Sequence, residues 1–222
     1  GLGDVYKRQF LEMWNAVSDK DKNDSDFTGF LVQTDYQAKQ TGFIQPYADS
    51  PMDHEQVGEE VYISMVNKAE KYCWFMTPYL IITDEMSHAL CLAAKRGVDV
   101  RIITPGIPDK KMIYNITRSF YHGLVKHGVR IYEWTPGFCH AKMSVADDCM
   151  ATCGTINLDY RSLYHHFENG CFMADCQAVL DIRNDLAATM DECREVTEQY
   201  STGRSAYLRL GQLFMRLFAG LL

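Results

Sequence analysis

The chain lacks any run of about 18 consecutive apolar residues, so no segment reads as a bilayer-spanning helix. A surplus of positive charge is missing too: 22 Lys and Arg stand against 29 Asp and Glu, a formal net charge of −7. Binding nucleic acid through phosphate contacts calls for the opposite balance, which argues against a nucleic-acid partner and against a nuclease. None of the eight cysteines forms a Cys-x-x-Cys pair, and their spacing outlines neither a zinc site nor a disulfide framework. They read as reduced, mostly buried thiols of a reducing compartment, with no metal or cofactor expected. No signal-peptide pattern opens the chain. The acid-rich stretch 19–26 fails as an EF-hand, because neither frame places a Gly sixth and a Glu twelfth, and is left as a linker or surface loop.

What remains is the composition of a globular chain, 47% hydrophobic and 23% charged over 222 residues, long enough for one or two domains with real cores. Asp4-Val5-Tyr6-Lys7-Arg8-Gln9 resembles the translated end of a sequencing-library adapter. Residues 1–9 are therefore expected to be a non-native leader, and the chain a piece of a longer product.

Residues 10–17 read as a helix tail, and 27–53, with Pro46 and Pro51, give no confident strands. Regularity begins near His54. Val57, Val61, Met65 and Ala69 share one helical face, and the apolar run Tyr72–Met76 comes next as a strand. Thr83 or Asp84 is placed to cap a second helix that Gly97 ends, and 98–103 is a second strand. A third helix, about 110–127 and closed by Gly128, leads to a third strand at 129–134. Strands alternating with helices predict an α/β fold with a mixed, largely parallel sheet flanked by helices. Three of the six prolines close these strands in Thr77-Pro78, Thr104-Pro105 and Thr135-Pro136, so the strands stop at one level, where open α/β sheets place ligands.

The third strand leads into His140-Ala141-Lys142, followed by Asp147, a hairpin at Asp147-Asp148, and Gly154-Thr155-Ile156-Asn157. In an extended segment residues i and i+2 share a face, which puts His140 with Lys142, and Thr155 with Asn157. A nitrogen nucleophile, a fixed cation and an amide donor suit phosphodiester chemistry without metal: imidazole attacks phosphorus while Lys142 and Asn157 hold the non-bridging oxygens. Asp147 has the other strand parity and reads as structural.

These residues match the HKD motif of the phospholipase D superfamily, with Thr155 where Ser is commoner. Thr77-Pro78-Tyr79, the loop 104–111 and Gly154 through Tyr164 resemble the bacterial cardiolipin synthase family in particular, a similarity running from about residue 10 to the end. The resemblance implies a phospholipase D-like half-unit over 54–200, preceded by a remnant of the first half and linker over 10–53. It implies that one phosphatidylglycerol donates its phosphatidyl group to a histidine, glycerol leaves, and the hydroxyl of a second phosphatidylglycerol takes the group.

Such enzymes carry two HKD motifs per active site, and this chain has one, matching the second. The missing N-terminal half or a homodimer partner is thus implied, with His140 as acid/base partner and nucleophile as the alternative. The catalytic set implied is His140, Lys142, Asp147, Asn157 and Glu168, the last being the carboxylate that orients the histidine of the opposite motif. Thr155, Tyr79, Lys110 and Lys111 are the candidate substrate-binding residues. Residues 201–222 carry Arg204, Arg209 and Arg216 with apolar residues at helical spacing. They fit either a basic amphipathic helix on an anionic membrane surface or a helix docked on the core. The expected location is peripheral, at the cell membrane. A homodimeric single-motif phosphodiesterase or endonuclease and a non-catalytic membrane-docking module remain as alternatives.

Overall fold

Alternating burial along short β-rich runs dictates the centre of the molecule. The computed structural model describes residues 10–15, 37, 39, 41–52 and 55–201. After α1 (10–15) and β1 (Phe43–Asp49) come α2 (Val57–Lys68), β2 (Tyr72–Met76), β3 (Leu80–Ile81), α3 (Asp84–Lys95) and β4 (Asp99–Pro105). The chain continues through α4 (Lys111–Val125), β5 (Arg130–Trp134), β6 (Met143–Ala146), β7 (Met150–Gly154), β8 (Leu158–Asp159) and α5 (Tyr160–Tyr164). It ends with β9 (Glu168–Ala174), α6 (Gln177–Asp191), β10 (Cys193–Glu195) and α7 (Thr197–Ser201). The proposed leader, the acid-rich stretch 19–26 and the C-terminal amphipathic segment beyond residue 201 lie outside the described residues.

Eight strands form one sheet in the order β1-β9-β7-β6-β2-β4-β5-β10, and β3 pairs with β8 in a small parallel sheet. The mixed sheet flanked by helices is as the sequence implies, but its parallel part is confined to β2, β4 and β5, the strands joined by helices. Its other pairings are antiparallel, because β6 and β7 form a tight hairpin and β9, β1 and β10 add to the block antiparallel. The hairpin loop is Asp147-Asp148-Cys149, with Ala146 paired to Met150 across it, and Asp147 and Asp148 hold left-handed φ of 52° and 59°.

One difference from the sequence reading concerns 10–53. β1 falls inside it, yet all seven of its residues pair with β9, from Phe43 opposite Ala174 to Asp49 opposite Glu168. Buried Asp49 then accepts the Gly58 N–H at 2.9 Å, satisfying an orphan donor in the first turn of α2. Residues 43–49 thus belong to the same folded unit as α2 and the sheet.

The sheet is covered on both faces. On one, Met65 and Val66 of α2, Met86 and Leu90 of α3, and Ile116 and Leu124 of α4 meet Phe75, Val100 and Ile102. On the other, Val179, Leu186 and Met190 of α6 meet Ile103, Val145 and Ala151. Each such side chain contributes about 1.5–3 kcal/mol when fully buried. Thr83 caps α3, accepting the Met86 N–H at 3.0 Å and donating its hydroxyl to buried Glu59, which also accepts from Tyr164. The strand ends are not level as the three Thr-Pro pairs suggest: β2 stops with Met76 beside Ile103, whereas β4 and β5 run on to Pro105 beside Trp134, two residues further. Past β2, the Thr77 hydroxyl accepts the Leu158 N–H at 3.1 Å and donates to the Tyr79 carbonyl at 2.8 Å, tying that end to β8.

Candidate active site

Three chain segments converge where β6, β7 and β9 end. His140 and Lys142 lie on the extended approach to β6, Thr155 and Asn157 come just after the end of β7, and Glu168 opens β9. The five side chains line one cavity of about 480 Å³. The β6–β7 ladder sets their level, extended past the strand ends by the Gly154 N–H donating to the Lys142 carbonyl at 3.2 Å and the Thr155 N–H donating to the Asn169 carbonyl at 2.8 Å. Gly154 is required there: a Cβ would stand 2.8 Å from Gly170 Cα and closer still to the Asn169 carbonyl.

The imidazole of His140 lies between two rings, Phe138 at 5.7 Å and Tyr79 at 6.4 Å between centroids, the latter edge-on. Lys142 Nζ is 3.0 Å from His140 Nδ1 and donates to the His140 carbonyl at 2.7 Å. Partial burial and this ammonium lower the His140 pKa below its ordinary value, so the neutral ring is favoured. Lys142 is itself 9% exposed, and among the described residues no carboxylate comes within ion-pair distance of it. Burial lowers its pKa as well, opposed by the nearby charges of Glu168 and Asp159. A desolvated cation of this kind favours an anion beside it.

Glu168 is buried, accepts the Thr155 hydroxyl, and stands 3.5 Å from His166 Nδ1. Asn157 differs from expectation. Its amide Nδ2 donates to Asp159 Oδ2 at 3.2 Å and to Ser162 Oγ at 2.9 Å, so both amide hydrogens turn toward the start of α5. The buried Oδ1 has no hydrogen-bond partner among the described residues. As arranged, the donor expected of Asn157 is spent on its neighbours, and its Oδ1 is closed off from the cavity.

Asp147 is not brought to the cavity. It occupies the hairpin at the other end of β6 and accepts three backbone N–H groups, from Glu70 at 2.7 Å, Lys71 at 2.9 Å and Tyr72 at 2.8 Å. A turn carboxylate next to β2 has no route to a phosphate at His140. Lys111 is exposed at the start of α4 and lines neither this cavity nor its neighbour.

Tyr79 and Lys110 line a second cavity of about 360 Å³, reached across Asn157, which borders both. Residues not singled out from sequence gather there. Arg161 Nε donates to His166 Nε2 at 3.0 Å, and Asp159 accepts the Ser162 N–H at 2.7 Å as the N-cap of α5. Burial raises the Asp159 pKa, opposed by hydrogen bonds from Ser162 and Asn157. The Asp159-x-x-Ser162 spacing is a helix-start signal that could have flagged this turn. Among the described residues no group of three or more His, Cys, Asp or Glu side chains converges as a metal site would require, and no helix is long and apolar enough to cross a membrane.

Residues 62–190 match the family model described as cardiolipin synthase, PLD-like domain. The chain is 46% identical over 213 residues to an uncharacterised protein of Streptococcus mutans, covering 96% of this chain and 45% of that protein. It is 32% identical over 184 residues to a cardiolipin synthase of Halalkalibacterium halodurans, covering 83% of this chain and 37% of the relative. The chain thus spans less than half the length of the curated relatives it matches. Among solved structures, the phospholipase D family member Nuc of Salmonella typhimurium superposes with a TM-score of 0.60 at 16% identity, covering 70% of this chain and 98% of that one. The family model spans more than half of the residues and includes the whole cavity around His140, so the chain belongs to the cardiolipin synthase family of phospholipase D-like domains.

Proposed function

We propose that this chain is the half of a cardiolipin synthase that carries the second HKD motif. In this reading the whole enzyme transfers a phosphatidyl group between two phosphatidylglycerol molecules. The supporting observation is the cavity in which His140, Lys142, Thr155 and Glu168 meet. A histidine of the first motif attacks the phosphorus of one lipid while His140, in its protonated form, gives a proton to the departing glycerol oxygen. His140 then takes the proton from the hydroxyl of the second lipid as that oxygen attacks phosphorus, the phosphorus–nitrogen bond breaks, and cardiolipin is released. Its lowered pKa suits the second half of this cycle, where a neutral base is needed. Lys142 carries the charge on the non-bridging oxygens, and Glu168 positions the histidine of the opposite motif. Both substrates reside in a bilayer, so the enzyme works at an anionic membrane surface.

The test is incubation of the chain with phosphatidylglycerol vesicles, with and without the N-terminal half of a full-length relative, reading cardiolipin and glycerol. Product should appear when the missing half is supplied and vanish in His140→Ala; turnover that survives in His140→Ala refutes the site. A second reading is supported by the match that covers 98% of Nuc: a self-complementing homodimer with one motif from each chain, acting as a phosphodiesterase. Activity of the isolated chain rising with dimer concentration would favour it.

A further inference from the structure

We infer that the cavity across Asn157 from His140 is a second anion subsite, built to hold the phosphodiester that the acceptor lipid keeps. This rests on the phosphatidyl-transfer reading above. Joining two phosphatidylglycerols leaves two phosphodiesters on one glycerol. The acceptor's own phosphate never reacts, yet it must lie within one glycerol of the phosphorus under attack. Two anions brought that close repel each other unless the protein supplies a separate cationic pocket beside the reacting one.

The neighbouring cavity has that character. Lys110, from the loop before α4, and Arg161, from the first turn of α5, line it together with His166 and Tyr79. Two carboxylates stand by it, and both are engaged: Asp159 is turned into the α5 cap, where Ser162 and Asn157 donate to it, and Asp109 accepts the Tyr79 hydroxyl at 2.6 Å and the Lys110 N–H at 2.7 Å. At about 360 Å³ the space is large enough for a glycerophosphate group. The two cavities share one wall: Asn157 borders both, its amide held in place by Asp159 and Ser162. The cavities also communicate through polar contacts, Arg161 to His166 at 3.0 Å, His166 to Glu168 at 3.5 Å, and Glu168 to the Thr155 hydroxyl. Arg161 and His166 are therefore assigned to acceptor recognition.

The probe is glycerophosphoglycerol, the headgroup without its acyl chains, titrated into the full 222-residue chain and followed by amide chemical shifts, with inorganic phosphate as a parallel arm. The amides of 160–166 and 110–113 should shift together with those of 140–142, and glycerophosphoglycerol should bind at least tenfold more tightly than phosphate. In the double variant Lys110→Gln, Arg161→Gln the response at 160–166 should weaken about tenfold while that at 140–142 persists, and the unshifted remainder of the spectrum reports that the variant is folded. Shifts confined to 140–142, no shifts at all, or an undiminished response at 160–166 in the double variant overturn the subsite. Equal affinity for phosphate overturns its assignment to a lipid headgroup. Shifts at 160–166 without any at 140–142 count against the transfer reading and leave the anion subsite standing.

Discussion

Replacing Asp147 by alanine should destabilise the protein by about 3 kcal/mol and leave the His140 cavity as it is. The carboxylate accepts three backbone N–H groups, and hydrogen bonds to a charged group contribute about 1.5–3 kcal/mol each. Glu70 and Lys71 donate where water can take over, so the loss concentrates at the half-buried Tyr72 amide, about 2 kcal/mol. Alanine must also hold the left-handed φ of 52° at this position, which costs roughly 1 kcal/mol more. A chain of this size loses about 2–4 °C of Tm per kcal/mol, so the transition should fall by roughly 6–12 °C. Asp147→Gly separates the two contributions, because glycine accepts the turn and loses only the hydrogen bonds. Guanidinium unfolding followed by circular dichroism measures the loss. In parallel, glycerophosphoglycerol titration should show the 140–142 amides responding as in the parent. An alanine variant as stable as the parent, or a stable one that no longer responds at 140–142, would show that the reasoning fails.

Two further outcomes are expected from charges placed elsewhere. Glu133 is fully buried between Arg118, at 3.0 Å, and Arg194, at 2.6 Å, so Glu133→Ala strands a half-buried guanidinium and should cost about 3–5 kcal/mol in urea unfolding. A loss under about 1 kcal/mol would mean that the pair is not coupled in solution. Lys142→Met removes a positive charge that opposes protonation of His140, so the imidazole pKa should rise toward, and not beyond, the ordinary 6.5, because the burial contribution stays. Proton NMR of the ring across pH 4–8 reads this directly, and an unchanged or lower midpoint contradicts the assigned contact.

Much of the parallel block was legible because its signals are local. The run Tyr72–Met76 is a strand end to end, Thr83 caps its helix, and Gly97 and Gly128 stand past helix ends with φ of 96° and 102°. β1 was not legible. Three of its seven residues are exposed, it contains Pro46, and its partner strand lies far along the chain, features that a sheet edge tolerates and a local reading discards. In the site, His140 and Lys142 are near neighbours whose proximity an extended segment guarantees. The direction in which the Asn157 amide faces depends on Asp159 and Ser162, two and five residues away across a turn, and no periodicity encodes it. Arg161 and His166 stayed hidden because the short helix α5 and the bend after it bring them together, whereas a motif search weighs residue types at fixed spacing.

The long-range pairing of β1 also bears on how the protein comes into being. Leaving the ribosome first among the sheet strands, β1 waits for β9 while about 120 further residues are made, roughly 6–24 s at 5–20 residues per second. During that interval Phe43 and Ile44 sit on a strand with no mate, while the parallel trio can already assemble around its helices. Nascent chains should therefore pass through a vulnerable stage that ends only when β9 emerges. Slowing translation after residue 134 would lengthen exposure of that strand to chaperones or to aggregation without altering a single contact in the finished molecule.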